Sequence, residues 1–196
     1  SVGSIQKIKK VADIIRDYKR KNYSVIVVSS AMSGVTNDLI KKSKEISNNF
    51  SDAEYDVLVS SGEQVACSLI AGRLINNGYT SRSWLSWQIP ILTKGIHKNS
   101  RITQINKSKI VKYLKQGGIP IITGFQGLNE NERITTIGRG GSDASAIMLA
   151  KYLKAQRCII YTDVEGVYST DPNKLRNEKK IKVISYEEML EMASLG

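Results

Sequence analysis

A chain of 196 residues, 41% hydrophobic and 24% charged, has the length and composition expected of one soluble globular domain with a single filled core. No apolar run approaches the ~20 residues that span a bilayer, which argues against a membrane partner. The formal charge of +11 favours anionic partners, but the lysines are spread over helices and loops with few aromatics between them, a pattern that points away from nucleic acid and toward a small polyanionic substrate. Cys67 and Cys158 fall in a helical stretch and an apolar strand, as reduced buried thiols do; with no signal peptide in view, a cytoplasmic location is expected. The single histidine, His97, has no Cys or Asp at ligand spacing, so no metal site is expected.

Ser4 can cap a first helix in which Ile5, Ile8, Val11, Ala12, Ile15 and Tyr18 form one apolar stripe. Tyr23 to Ser29 is β-branched and almost continuously apolar, the pattern of a parallel strand covered on both faces. The small-residue turn SAMSGVTN, Ser30 to Asn37, follows and feeds a second helix. A turn signal at SSGEQ, Ser60 to Gln64, precedes a long helix from Gln64 to Ile75 that Asn76-Asn77-Gly78 closes. Ser83 to Thr93 mixes apolar and polar residues around Pro90 in an extended pattern, and Gly95 to Ser100 reads as an exposed loop. Ser108 caps a helix that ends at Gly117-Gly118, and IPIITGF after it is another buried strand.

Ile134 to Asp143, ITTIGRGGSD, reads as a strand, a glycine turn and a helix continued by Ile147, Ala150, Tyr152 and Leu153. An apolar strand at Cys158 leads into TDVEGVYSTDP, and Ser185 with Glu188 forms a capping-box pattern for a last helix. The alternation predicts an α/β fold, a three-layer sandwich whose mainly parallel central sheet is flanked by helices. SAMSGVTN, GFQG, GRGGSD and TDVEGVYSTDP should then share the carboxyl edge of that sheet, where ligands gather.

The commonest ATP-binding designs are missing: there is no G-x-x-x-x-G-K-[ST] loop and no H-R-D or D-F-G set. With one histidine outside the glycine loops, a hydrolytic triad is not available either. Gly138, Gly140 and Gly141 leave backbone N–H groups open to an anion beside the fixed charge of Arg139; the plainer alternative is a left-handed turn with a solvent-facing arginine. Ser142 and Asp143 offer caps for the helix that follows. Glu63 is either the capping-box partner of Ser60 or a pocket carboxylate for a substrate ammonium group, and Thr36 is either a helix-entry residue or a ligand contact. In TDVEGVYSTDP, Asp163 ends a strand, Gly166 permits a tight turn and Tyr168 can stack on a base, which suits a nucleotide.

SAMSGVTN, SSGEQ, SWQIPI, GFQG, TTIGRGGSD, YTDVEGVYSTDP and ISYEEMLEMASLG, in this order over essentially the whole chain, resemble the aspartate kinases of the amino acid kinase superfamily. The resemblance implies transfer of the γ-phosphoryl group of ATP, carried with Mg2+, to the side-chain carboxylate of L-aspartate. The product would be 4-phospho-L-aspartate, at the head of the route to the aspartate-derived amino acids. It implies that Thr36, Glu63, Arg139 and Ser142 contact aspartate, that Ser30 and Asp143 lie close to the reacting groups, and that Thr162, Asp163 and Tyr168 hold the nucleotide. On this view Arg139 grips a substrate carboxylate rather than phosphate. The intact protein is expected to be a homo-oligomer.

The family opens with a Lys-Phe/Tyr-Gly-Gly-Thr/Ser element just before the equivalent of Ser1-Val2 and continues past the equivalent of Gly196 into ACT regulatory domains; residues 1–196 correspond to the catalytic domain without either. Losing one preorganised donor to a phosphoryl group costs on the order of 10²–10³ in rate, so these residues alone are expected to be weakly active or inactive. Asn173 stands where an arginine often follows Asp-Pro. The competing readings are a kinase for another acidic amino acid, a non-catalytic remnant of the fold, and basic nucleic-acid binding.

Overall fold

The computed structural model describes residues 2–138, 140–162, 184, 185 and 188. Ser4 caps α1 (Ile5–Arg20) by accepting a hydrogen bond from the Lys7 N–H, and Ile8, Ala12 and Ile15 of the apolar stripe are buried. β1 covers only Val27–Ser29, and α2 (Val35–Ile46) starts from Gly34. α3 (Asp52–Asn76) begins well before the expected start, so SSGEQ lies inside a helix and is no entry turn. The expected capping box is absent: Ser60 Oγ donates to the Val57 carbonyl of its own helix, and Glu63 reaches a different loop. Ser83 to Thr93 divides into β2 (Ser81–Trp84) and β3 (Ile91–Lys94), which belong to different sheets.

β4 (Arg101–Ile105) is followed by α4 (Ser108–Lys115), where Ser108 is the first helical residue and Lys107 takes the cap position. β5 (Ile119–Thr123) is buried throughout, as its run of apolar residues predicts. GFQG is only partly a turn, because Gln126 and Gly127 already belong to β6 (Gln126–Leu128). β7 (Ile134–Thr136) leads through the glycine turn to α5 (Gly141–Leu153). Gly140, at φ 66°, is the cap residue of α5, so Ser142 and Asp143 occupy the first turn instead of capping it. Residues 157–162 form no strand, and 163–172 lie outside the described residues. Ser185 and Glu188 make the reciprocal capping box: the Ser185 N–H donates to Glu188 Oε2, and the Glu188 N–H donates to Ser185 Oγ.

β5 is the middle strand of a parallel sheet ordered β1-β5-β2. Its alternating side chains serve two cores. Ile119 and Ile121 pack with α1 and α3 residues including Ile8, Ala12, Ile70 and Leu74. Ile122 packs on the opposite side with Ile110 of α4 and Leu149 of α5. Helices therefore cover both faces of a parallel sheet, the expected three layers. A second sheet, β4-β3-β6-β7, is mixed: β3 runs parallel to β6, while β3 with β4 and β6 with β7 are antiparallel.

Candidate functional site

The long helix α3 carries a buried polar face directly under the loops that leave the strands. Positions 56, 60 and 63 are three to four residues apart and so stack along one side of the helix. Each holds a different segment. Asp56, fully buried, accepts a hydrogen bond from Thr136 Oγ1 at 2.6 Å, from His97 Nδ1 at 2.7 Å and from the Lys98 N–H at 3.1 Å. The Ser60 carbonyl accepts from Gln126 Nε2 at 3.0 Å. Glu63 Oε1 accepts from the Ala31 N–H at 3.0 Å, next to Ser30.

Glu63 is 3% exposed, and its other oxygen, Oε2, has no hydrogen-bond partner among the described residues. Burial pushes its carboxyl up to about 7, against the opposing effect of the Ala31 N–H. An acid left half-satisfied in this way is poised to receive a donor, and an ammonium group would both pair with it and draw it back to the ionised form. Its neighbour Gly62 brings α3 against the SAMSGVTN turn: a Cβ there would lie 2.8 Å from Ala31 Cβ and 3.2 Å from Val35 Cγ1. Thr36 follows Val35 in the first turn of α2 and is half-buried; Ser30 is exposed.

The strand ends meet beside this carboxylate. The Gly124 N–H donates to the Ser29 carbonyl at 3.0 Å, tying the loop after β5 to the loop after β1. Gly124 also abuts α5, because a Cβ on it would lie 2.9 Å from both Cα and Oγ of Ser142. Phe125 has φ 68°, an uncommon conformation for a residue with a side chain, and its N–H donates to Ser145 Oγ of α5. Neither α2 nor α5 has a side-chain cap at its N-terminus. The N-terminus of α2 lies against Gly62, next to Glu63, and that of α5 against Gly124, so both bring partial positive charge to the loops after β1 and β5, a setting for anionic groups.

Among the expected site residues, Ser30, Thr36, Glu63 and Ser142 are brought together through Ala31, Val35, Ser29 and Gly124. Asp143, half-buried in the first turn of α5, has its carboxyl raised by burial; burial, with the nearby Asp143 charge as the smaller effect, also raises the Cys158 thiol. Thr162 is exposed, while Arg139, Asp163 and Tyr168 fall outside the described residues. Sequence reasoning passed over Asp56, whose signal was its position seven residues before Glu63 on the same helix face, and Phe125, whose backbone carries no sequence signature. The loop of Gly95 to Ser100 is not wholly exposed either: Ser100 is buried and His97 is bound to Asp56.

Residues 1–196 match the profile of the amino acid kinase family over their full length. The chain is similar to the aspartokinase of Rickettsia felis, at 50% identity over all of this chain and 50% of that one. It spans about half the length of the curated relatives it matches. Among solved structures, the aspartate kinase of Synechocystis is similar with a TM-score of 0.77 and 36% identity, over 100% of this chain and 32% of that one. E. coli aspartokinase III in complex with aspartate and ADP is similar with a TM-score of 0.77 and 25% identity, over 92% of this chain and 51% of that one.

Proposed function

The chain belongs to the amino acid kinase family, and from that premise we propose that residues 1–196 are the kinase domain of an enzyme that phosphorylates the side-chain carboxylate of L-aspartate with ATP. The observation that carries this reading is Glu63: a buried carboxyl with one oxygen unpartnered among the described residues, next to Gly62, which abuts the first turn of α2. That combination suits a substrate bearing an ammonium group and carboxylates next to a phosphoryl group. E. coli aspartokinase III, which shares the fold at 25% identity, is known in complex with aspartate and ADP, the acceptor and the spent donor of such a reaction.

In this mechanism Glu63 binds the aspartate ammonium group, Thr36 and Ser142 hydrogen-bond the bound amino acid, and Arg139 pairs with a carboxylate of the substrate in a bidentate clamp. An oxygen of the side-chain carboxylate attacks the γ-phosphorus in line, the bond to the bridging oxygen breaks, and ADP leaves with that electron pair. The carboxylate is already ionised at neutral pH, so no general base is required. Catalysis rests on positioning and on neutralising charge. Ser30 and the N-termini of α2 and α5 face the transferring group. Asp143, near the junction of the two substrates, orients them. Thr162, Asp163 and Tyr168 form the nucleotide side, with Tyr168 stacked on the base, and ATP arrives as its magnesium complex.

The test is a hydroxylamine-trapping assay on the intact protein with ATP and either aspartate or glutamate. Formation of aspartyl hydroxamate is the expected result, and its absence overturns the reading; preference for glutamate would reassign the acceptor. Arg139→Ala should raise the aspartate KM by about 10²-fold or more while the ATP KM changes little. An equal loss for both substrates would return Arg139 to a phosphate-binding role.

A further inference from the structure

We propose that Asp56 is a positioning residue that holds the glycine turn between β7 and α5, at Gly138 and Gly140, in register with Glu63, an inference that rests on the kinase reading of the site. Its four hydrogen bonds all come from segments that flank this turn. Thr136 Oγ1, at the end of β7, donates to Oδ1; the Lys98 N–H lies 3.1 Å from both carboxylate oxygens; His97 Nδ1 meets Oδ2 at 2.7 Å. The loop of His97 and Lys98 leans on the turn itself: a Cβ on Gly138 would lie 3.2 Å from Asn99 Oδ1 and 3.3 Å from the Lys98 carbonyl oxygen. The Ser100 N–H donates to the Thr136 carbonyl at 2.9 Å and closes the same loop onto β7.

A stability role alone does not account for this choice of residue. A carboxylate fully removed from water is expensive, and a buried apolar side chain would fill the space without that cost. What Asp56 adds is direction. It gathers Thr136, His97 and Lys98 onto one rigid point of α3, and Glu63 projects from the same face of that helix about 10 Å further along its axis. The first turns of α3 reinforce the anchorage from outside: Lys98 Nζ pairs with Asp52 and lies 4.6 Å from the centre of the Tyr55 ring, and Arg133 pairs with Glu54. One helix therefore sets Glu63 directly and the glycine turn between β7 and α5 through Asp56.

The experiment compares Asp56→Asn, Thr136→Val and Thr136→Ser in the intact protein by steady-state kinetics and by hydrogen exchange. Asp56→Asn and Thr136→Val are expected to raise the aspartate KM about 10- to 100-fold with little change in the ATP KM. Thr136→Ser, which keeps the hydroxyl donor, should rescue the aspartate KM. In both damaging variants the amides of Lys98 and of Gly140 and Gly141 should exchange about tenfold faster, with those of β5 unchanged. If Asp56→Asn does not fold, the Thr136 pair decides the matter alone. Equal rises in both KM values, an unchanged aspartate KM, or exchange that speeds up uniformly would each overturn the proposal. Absence of hydroxamate from the unsubstituted protein would instead sink the kinase reading and leave the exchange pattern to judge Asp56.

Discussion

Glu63 shows how much a single residue's environment adds to its identity. Between 4.5 and about 7 the folded chain keeps a proton on Glu63 that the unfolded chain has released. The stability from this group is therefore complete below 4.5 and is lost as the pH rises through 7, about 3 kcal/mol in all for a shift of this size. Glu63→Gln is neutral at every pH. Urea unfolding should find the variant and parent close in stability at pH 4.5 and the variant more stable at pH 8, while its aspartate binding is lost; parallel pH profiles would refute the raised carboxyl. The SSGEQ sequence offered this carboxylate as either cap or pocket group, and the passage of α3 through Ser60, whose Oγ donates to the Val57 carbonyl, removes the cap reading. Beyond its place seven residues before Glu63, the role of Asp56 was not legible, because its partners His97 and Thr136 lie 41 and 80 positions away in the chain.

At the scale of an element, α3 resolves a conflict between local preference and tertiary demand. Ser60, Ser61 and Gly62 are weak helix formers, which is why the local signal there reads as a break. The helix runs through them from Asp52 because Gly62 allows contact with the turn after β1. Gly62→Ala would gain up to about 1 kcal/mol of helix propensity. The new Cβ, however, would sit 2.8 Å from Ala31 Cβ, an atom fixed to the backbone, so steric cost wins. A net loss of about 1–3 kcal/mol is expected by thermal melting. Gly72→Ala, on the same helix with nothing within 4 Å of its added Cβ, should instead stabilise by about 0.5–1 kcal/mol. If both variants melt alike, the close approach at Gly62 is not a constraint.

For the whole molecule, β5 joins the two apolar clusters, with Ile121 facing one and Ile122 the other. Both are fully buried, so Ile121→Ala and Ile122→Ala should each cost about 2–5 kcal/mol. Because one strand belongs to both layers, each substitution should shift a single denaturant transition; separate transitions would mean that the layers unfold independently. The alternation of helices and strands, the buried parallel strand Ile119–Thr123 and the meeting of SAMSGVTN with GFQG at its carboxyl end followed from sequence, since hydrophobic periodicity and turn chemistry are local properties; GRGGSD, expected at the same edge, instead leaves β7 of the second sheet, and TDVEGVYSTDP from Asp163 on lies outside the described residues. So did the family, through motifs whose order spans the chain. The second, mixed sheet, the passage of α3 through SSGEQ, and the linkage of Asp56, Ser60 and Glu63 to three separate segments were decided by tertiary structure. These depend on which distant donors reach a buried acceptor, and that is settled only when the layers pack.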